Sequence, residues 1–517
     1  MTFEIVFVLL SLLGMMAALI ADKMRPGMVL FSVVVLFLCV GILTPKEMLE
    51  GFSNKGMITV ALLFLVSEGI RQSGTLGQVI KKLLPQGKTT VFKAQLRILP
   101  SVAFISAFLN NTPVVVIFAP IIKHWAKSVK LPATKFLIPL SYVTILGGIC
   151  TLIGTSTNLV VHGMILEAGY EGFTMFELGK VGIFIAIAGI IYLFIFSKRL
   201  LPDARPDTAV PDEEVEEGEK LHRVEAVLGA RFPGINKKLS DFNFQRHYGA
   251  EVKEIKTRNG QRYVDHLEDV VLREGDTLVV MADDTFIPTW GESSVFVLLT
   301  NGNDPDTSGK KKRWLALILL VLMIVGATMG ELPATKEMFP DIKLDMFFFV
   351  CITTIIMAWT NIFPARKYTK YISWDILITI ACAFAISKAM VNSGVADCVA
   401  GFIIGLSDDY GPHVLLAILF VITNLFTELI TNNAAAALAF PLALSISAQL
   451  GVSPTPFFVV ICMAASASFS TPIGYQTNLI VQGIGNYKFT DFVRIGLPLN
   501  IITFLISVIL IPLIWNF

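Results

Sequence analysis

Residues Ser106 to Pro120 read SAFLNNTPVVVIFAP, and the same logic returns at Thr427 to Pro441 as TELITNNAAAALAFP. Each copy sets two adjacent amides, Asn110-Asn111 and Asn432-Asn433, in the middle of apolar sequence. In hydrocarbon, unpartnered amide donors and acceptors cost kcal/mol each, so these pairs require polar company. A lone membrane Asn commonly does no more than bond a neighbouring helix. Here a second polar interruption follows each pair, GTSTNLVV at Gly154 to Val161 and GYQTNLIV at Gly474 to Val481. Matched interruptions in both halves point to a binding site rather than to isolated helix glue.

The 517-residue chain around them is 54% hydrophobic, with a mean hydropathy of +0.70. Only an all-α polytopic membrane protein fits those values. A net charge of +1 argues against nucleic acid as a partner. The six cysteines lie in or beside apolar runs without metal-ligand or disulfide spacing, as small core residues do. The N-terminal MTFEIVFVLLSLLGMMAALIADKMRPG lacks a basic n-region and further apolar spans follow it, so it reads as a first transmembrane helix.

Spanning segments are predicted at 4–21, 27–43, 55–72, 135–167 (interrupted near 154–157) and 180–198. A second set follows at 314–330, 344–363, 373–391, 454–484 (interrupted near 471–477) and 493–515. Between the third and fourth span of each set, 94–123 and 413–450 carry the Asn pairs and read as re-entrant hairpins. Non-helical backbone is tolerated at membrane depth only where protein or a water-filled cavity surrounds it.

The repeat is explicit. SEGIRQSG at Ser67 to Gly74 matches SKAMVNSG at Ser387 to Gly394, Gly154 matches Gly474, and Thr157-Asn158-Leu159 matches Thr477-Asn478-Leu479, each 320 residues on. The Asn pairs sit 322 residues apart, or 321 if Asn110-Asn111-Thr112 is set against Thr431-Asn432-Asn433. Such duplication with interrupted helices is the signature of a secondary transporter whose site lies at the repeat interface. Lys and Arg cluster in 22–26, 79–93, 123–135, 364–370 and on both flanks of 203–312, whereas none occurs between Lys388 and Lys488. The positive-inside rule therefore puts 203–312 in the cytoplasm, opens the first hairpin inward and the second outward. An odd number of crossings per repeat inverts the halves, as alternating access requires.

The expected domains are a first transmembrane repeat (1–200), an acidic linker (201–220, with DEEVEEGE at Asp212 to Glu219), a small cytoplasmic α+β module (221–290), a second linker (291–313) and a second repeat (314–517). Within the module, β-rich runs alternate with turn signals at Asn259-Gly260 and Glu274-Gly275-Asp276. It resembles the C-terminal TrkA (RCK-type) domain through Gly234 to Phe244, Tyr248-Gly249 and the L-x-x-G-D-x-L pattern of Leu272 to Leu278. That resemblance implies a small regulatory ligand such as a nucleotide.

Sodium, a hard cation, is served by carbonyls, amide oxygens and hydroxyls gathered where helices break, with Gly154 and Gly474 letting carbonyls turn inward. Glu428 and Glu68 are the nearest carboxylates and read as structural charges. A substrate between the tips would meet the amides of Asn110, Asn111, Asn158, Asn432, Asn433 and Asn478 and the hydroxyls of Thr112, Thr157, Thr431 and Thr477, together with the positive ends of half-helices. This donor-rich lining suits an anion. No Arg or Lys belongs to the motifs, so a divalent anion needs co-bound cations, and sodium (Na+) as coupling ion follows.

At these residues the chain resembles the divalent-anion/sodium symporter family of the ion transporter superfamily, which also holds citrate carriers. Asn110-Asn111-Thr112 and Thr431-Asn432-Asn433 are similar to that family's paired Ser-Asn-Thr tips, and the TrkA-like insert points to the sulfate-permease branch. The resemblance implies an elevator-type, commonly dimeric carrier in a cell (inner) membrane, with a sodium near each tip and substrate between. By position, the first sodium site uses Ser106, Asn110, Asn111 and Gly154, and the second Thr427, Thr431, Asn432 and Gly474. Asn110 and Asn433 depart from the family Ser and Thr. Ser156-Thr157 and Gln476-Thr477 stand where dicarboxylate carriers often have Pro-Pro, which favours a small oxyanion.

The resulting expectation is a sodium-coupled symporter of sulfate or a similar divalent anion. A di/tricarboxylate carrier is the runner-up. A ligand-gated channel or membrane sensor should carry a TVGYG-type filter, and none is present. An enzyme should show a metal-ligand cluster, nucleophile elbow or phosphate loop, and the sequence has none of these motifs.

Overall fold

The computed structural model describes residues 2–21, 24–85, 87–203, 222–229, 231–257, 261–283, 286, 290, 295–300, 310–339, 342–405 and 411–517. Most of the acidic linker (204–220), the Asn259-Gly260 turn and Lys23 lie outside the described residues.

The first half runs α1 (Phe3–Ala21), α2 (Pro26–Val40), α3 (Lys55–Gln72), α4 (Thr75–Leu83), α5 (Val91–Ser106), α6 (Asn111–Ser128), α7 (Leu137–Gly148), α8 (Ser156–Glu167) and α9 (Gly179–Leu200). The second runs α10 (Lys310–Gly330), α11 (Met346–Trp359), α12 (Trp374–Asn392), α13 (Val395–Gly405), α14 (Gly411–Leu429), α15 (Asn432–Leu450), α16 (Thr455–Ser466), α17 (Gln476–Gly485) and α18 (Phe489–Ile514). Among the described residues, eight helices are long and apolar enough to cross a membrane. The chain is a multi-pass membrane protein.

The repeat holds at the level of single dihedrals. Gly74 (φ +71°) and Gly394 (φ +76°) both start a short helix in the left-handed region that glycine enters without strain. These helices, α4 and α13, were not among the expected segments; at 9 and 11 residues they are too short to span.

The interrupted spans are each two pieces. α7 and α16 have 12 residues apiece, about 18 Å at 1.5 Å per residue, roughly half the hydrocarbon thickness. All of α7 is buried, as is all but the first residue of α16, which suits helices that are apolar all round. The breaks fall at 149–155 and 467–475, earlier than the expected 154–157 and 471–477. Thr155 (φ −140°) and Tyr475 (φ −135°) are the extended N-caps, so Thr157 and Thr477 belong to the first turns of α8 and α17 rather than to the breaks.

Two bundles result. α1, α2, α3, α10, α11 and α12 pack on one another, and α5–α9 pack with α14–α18. The hairpins α5/α6 and α14/α15 both belong to the second bundle. The seam between bundles is asymmetric: α3 packs mainly on α8, whereas its repeat partner α12 packs on α15.

The insert is a five-stranded antiparallel sheet of order β3-β2-β4-β1-β5. Its strands are β1 (His222–Leu228), β2 (Glu251–Lys256), β3 (Arg262–Tyr263), β4 (Thr277–Ala282) and β5 (Phe296–Thr300). Phe232, Phe242, Phe244, Tyr248 and Phe296 fill its core. The sheet runs past residue 290: β5, from the segment expected as linker 291–313, pairs with β1 because its apolar run supplies an edge for Glu225 to Leu228. Helix α10 likewise begins at Lys310, inside that segment.

The sheet sits against the helices on the face that carries the basic loops. Lys123 Nζ lies 3.0 Å from Glu225 Oε2, a carboxylate that Lys256 of the sheet's own β2 also approaches, at 3.4 Å from Oε1, and an Arg231 guanidinium N–H donates to the Ile372 carbonyl at 3.3 Å. A Cβ placed on Gly483 would lie 2.5 Å from Thr277 Oγ1 and 3.9 Å from Thr277 Cβ, and one on Gly275 would meet Leu479. The turn before β4 therefore rests directly on α17.

Candidate functional site

Each hairpin tip closes on itself through one hydroxyl. Ser106 Oγ donates to Asn111 Oδ1 at 2.8 Å, and Thr427 Oγ1 stands 2.8 Å from Asn432 Oδ1. This identity selects the 321-residue alignment: Asn111 answers to Asn432, and Asn110 to Thr431. The latter two are the N-caps of α6 and α15, and neither makes a side-chain cap.

The breaks are built alike too. Thr151 Oγ1 donates to the Ala107 carbonyl and Thr471 Oγ1 to the Glu428 carbonyl (3.1 Å), so each break is pinned to the adjacent tip. The Gly154 and Gly474 N–H groups donate back to those hydroxyls at 3.1 and 3.4 Å. Asn158 Nδ2 donates to Thr151 O at 2.9 Å, while Asn478 Nδ2 donates to Ser468 O (2.9 Å) and Thr471 O (3.1 Å). Both Asn side chains are fully buried, so they hold the breaks from behind instead of facing a cavity. A Cβ on Gly154 would lie 2.5 Å from Gly148 O, and one on Gly474 would lie 2.5 Å from Thr427 O and collide with Ser468 Oγ. Only glycine lets these carbonyls converge.

Across the middle, tip meets break. Asn111 Nδ2 donates to the Tyr475 hydroxyl at 2.6 Å, that hydroxyl lies 3.2 Å from Thr155 Oγ1, and Thr112 Oγ1 reaches Gln476 Oε1 at 3.5 Å. In the other direction, Ser156 Oγ and Thr157 Oγ1 donate to Asn433 Oδ1 at 3.3 and 3.2 Å. The N-termini of α6, α8, α15 and α17 thus come to one place, and none of the four has a side-chain cap. Each helix end carries about half a positive charge, so the four together offer roughly two. Thr477 is fully buried against Ser141 Oγ at 2.9 Å. Asn110 lines a small cavity with Ser156, Ile153 and Leu159 on one side and Val60, Leu63 and Ser67 of α3 on the other. The expected residues therefore divide: Asn110, Asn111, Thr112, Thr157, Asn433 and the tip hydroxyls meet at the centre, whereas Asn158, Thr477 and Asn478 support it.

The donor set also fits a hard cation. Thr427 Oγ1 has two acceptors within reach, Asn432 Oδ1 and Ala465 O at 2.5 Å, and one proton to give. Asn158 Oδ1 and Thr431 Oγ1 are buried without a hydrogen-bond partner. Surplus oxygen acceptors of this kind are what sodium, carried as a substrate, would satisfy.

Of the two carboxylates, Glu68 is ion-paired to Arg71 at 2.6 Å on α3. Glu428 accepts from the Ser470 and Thr471 N–H groups, both at 2.8 Å, and from Asn500 Nδ2 at 2.7 Å. Both remain structural charges, as expected. The sequence reading missed Tyr475, Gly148, Thr151 and Thr471. The threonines had a signal: Thr151-Leu152-Ile153-Gly154 against Thr471-Pro472-Ile473-Gly474 continues the repeat upstream.

Comparison with known proteins agrees with this architecture. A family model described as "Citrate transporter" matches residues 16–442 and 338–517. An uncharacterised transporter of Synechocystis sp. is 29% identical over 94% of this chain and 93% of its own. Sodium/sulfate cotransporter 2 of Chlamydomonas reinhardtii is 30% identical over 54% of this chain and 31% of its own. The sodium-dependent dicarboxylate transporter SdcS of Staphylococcus saprophyticus is 25% identical over 28% of each.

Proposed function

Because the chain belongs to the citrate transporter family of the ion transporter superfamily, we propose that it is a sodium-coupled symporter of a divalent anion, with sulfate as the cargo. The observation that carries this reading is the meeting of four uncapped helix N-termini in a centre without Lys or Arg. Their summed field suits a dianion, and sodium at the two tips supplies the remaining charge. Sodium would be held by Ser106, Asn110, Asn111 and Gly154 at the first tip and by Thr427, Thr431, Asn432 and Gly474 at the second. The anion would lie between, against Asn110, Asn111, Thr112 and Thr157 and against Thr431, Asn432 and Asn433, with Asn158, Thr477 and Asn478 fixing the floor. The similarity to a Chlamydomonas sodium/sulfate cotransporter supports the cargo.

The carrier works by displacement of the hairpin-bearing bundle against the other, in an elevator motion. The asymmetric seam, α3 on α8 but α12 on α15, is what one end state of an inverted-repeat carrier looks like. It operates as a homodimer in the cell (inner) membrane, with the 221–300 sheet in the cytoplasm as a TrkA-C-type domain that takes a regulatory nucleotide.

The test is uptake of radiolabelled sulfate into proteoliposomes with and without an inward sodium gradient, with succinate as competitor. Sodium-driven sulfate uptake insensitive to succinate is the expected result. A second reading, a dicarboxylate carrier, has the Staphylococcus relative in its favour; sodium-driven succinate uptake without sulfate uptake would establish it instead.

A further inference from the structure

The two sodium sites proposed above share the hydroxyl-to-amide closure of the tip and the Thr pin of the break, but they differ in charge. The position that follows the tip hydroxyl is Ala107 in the first half and Glu428 in the second. Around Glu428 the second half builds a cradle that the first lacks. Oε1 accepts from Ser470 N (2.8 Å) and Asn500 Nδ2 (2.7 Å), Oε2 accepts from Thr471 N (2.8 Å), and Asn500 Nδ2 also reaches Ser470 Oγ at 2.8 Å. Ser470 answers to Cys150, whose thiol donates instead to the Leu146 carbonyl. Both carboxylate oxygens accept from N–H donors, an arrangement that suits the ionised form. All of these partners are neutral. Thr427, the neighbour of Glu428, supplies the hydroxyl that closes on Asn432, and Thr471, whose N–H the carboxylate holds, supplies the hydroxyl that meets Gly474.

We propose that Glu428 is a positioning residue that makes the two sodium sites unequal. Its fixed negative charge, one residue from Thr427 and clasped to the 467–475 break, gives the second site the higher sodium affinity, so that site fills first and orders the break before the anion arrives. The first site, with Ala107 in that place, relies on neutral oxygens and fills second. Buried Asn500 sets the orientation of the carboxylate: both of its hydrogen bonds, to Glu428 and to Ser470 Oγ, lie in the cradle, and its own Oδ1 has no hydrogen-bond partner.

This inference rests on the sodium sites of the proposed function, and the experiment separates the two. Binding of radiolabelled sodium to the purified full-length protein is measured without any anion, in the parent, Glu428→Gln, the exchange Glu428→Gln/Asn500→Asp, and Glu428→Asp. The parent is expected to show two sodium steps. Glu428→Gln should weaken the tighter step roughly tenfold or more while leaving the weaker one in place. The exchange, which reverses the Glu428–Asn500 hydrogen bond and keeps one carboxylate in it, should restore most of that loss. A parent binding curve in Glu428→Gln overturns the proposal, and so does a folded exchange variant as weak as Glu428→Gln. If Glu428→Gln does not fold, Glu428→Asp decides: it should keep both steps, and loss of the tighter one overturns the proposal. A parent that binds no sodium removes the sites themselves, and the inference with them.

Discussion

Asn111 and Tyr475, 364 positions apart, are joined by a 2.6 Å hydrogen bond from the amide Nδ2 to the phenol oxygen. The same hydroxyl lies 3.2 Å from Thr155 Oγ1, so one phenol holds the first tip, the first break and the second break in register. Tyr475→Phe keeps the ring and removes the bridge. The expected outcome is uptake reduced on the order of tenfold with the melting temperature nearly unchanged, because a net hydrogen bond contributes about 1 kcal/mol. Initial rates in proteoliposomes, read beside a thermal melt, check it.

Asn111→Ala and Asn432→Ala should each abolish sodium-dependent uptake while the protein stays folded. Each removes the amide oxygen on which a tip hydroxyl closes. Near-normal uptake in either variant, with size-exclusion profiles matching the parent, would refute the assignment of that tip.

The glycines make a paired comparison. Gly154→Ala sets a Cβ 2.5 Å from the Gly148 carbonyl, and backbone must then move. Gly405→Ala meets nothing within 4 Å. Sodium activation of uptake should be lost in the first and unchanged in the second.

Thr277→Cys with Gly483→Cys tests the seat of the sheet. The Cβ separation of 3.9 Å is near the mean for disulfides, so the pair should oxidise readily and shift mobility on a non-reducing gel. Failure to cross-link in membranes would show that the turn before β4 does not rest on α17.

Glu225 makes that seat dependent on acid. Burial by itself would raise its carboxyl, but Lys123, Lys256 and Arg223 outweigh burial and hold it at about 2. A lowered value means the docking contribution is complete above the ordinary carboxylate value of 4.5 and disappears as pH falls towards 2. The sheet should stay seated throughout the neutral range. Glu225→Gln removes the Lys123 ion pair that crosses to the helices and should loosen the sheet, visible as faster amide exchange in β1 and α17.

How much of this could be read beforehand divides along a physical line. The Asn pairs, the Thr157 and Thr477 triplets and the inverted count of spans are properties of residue type and spacing, so the hairpins and broken helices were legible. Asn110 and Thr431 as equivalent caps were one of two possible alignments until the Ser106 and Thr427 hydroxyls selected it. Tyr475 was invisible because its role depends on a partner in the other half. The cradle of Glu428 consists of the backbone N–H groups of Ser470 and Thr471, and no residue letter records which way a peptide points. The strand Phe296–Thr300 fell into a segment read as linker because an edge strand of five residues has little periodicity to show.

The central field is made of peptide dipoles, and peptide dipoles do not titrate. A carrier that grips its anion with lysine or histidine loses hold as those groups give up their protons; here the grip of α6, α8, α15 and α17 stays constant from acid to alkali. Apart from what the Glu428 carboxylate contributes through sodium, any pH profile of uptake therefore belongs to the cargo. Sulfate, doubly charged throughout the physiological range, should give a flat profile. A dicarboxylate or a phosphate, each of which takes up a proton between mildly acidic and neutral pH, should give a slope. The shape of that curve identifies the passenger from the passenger's own chemistry.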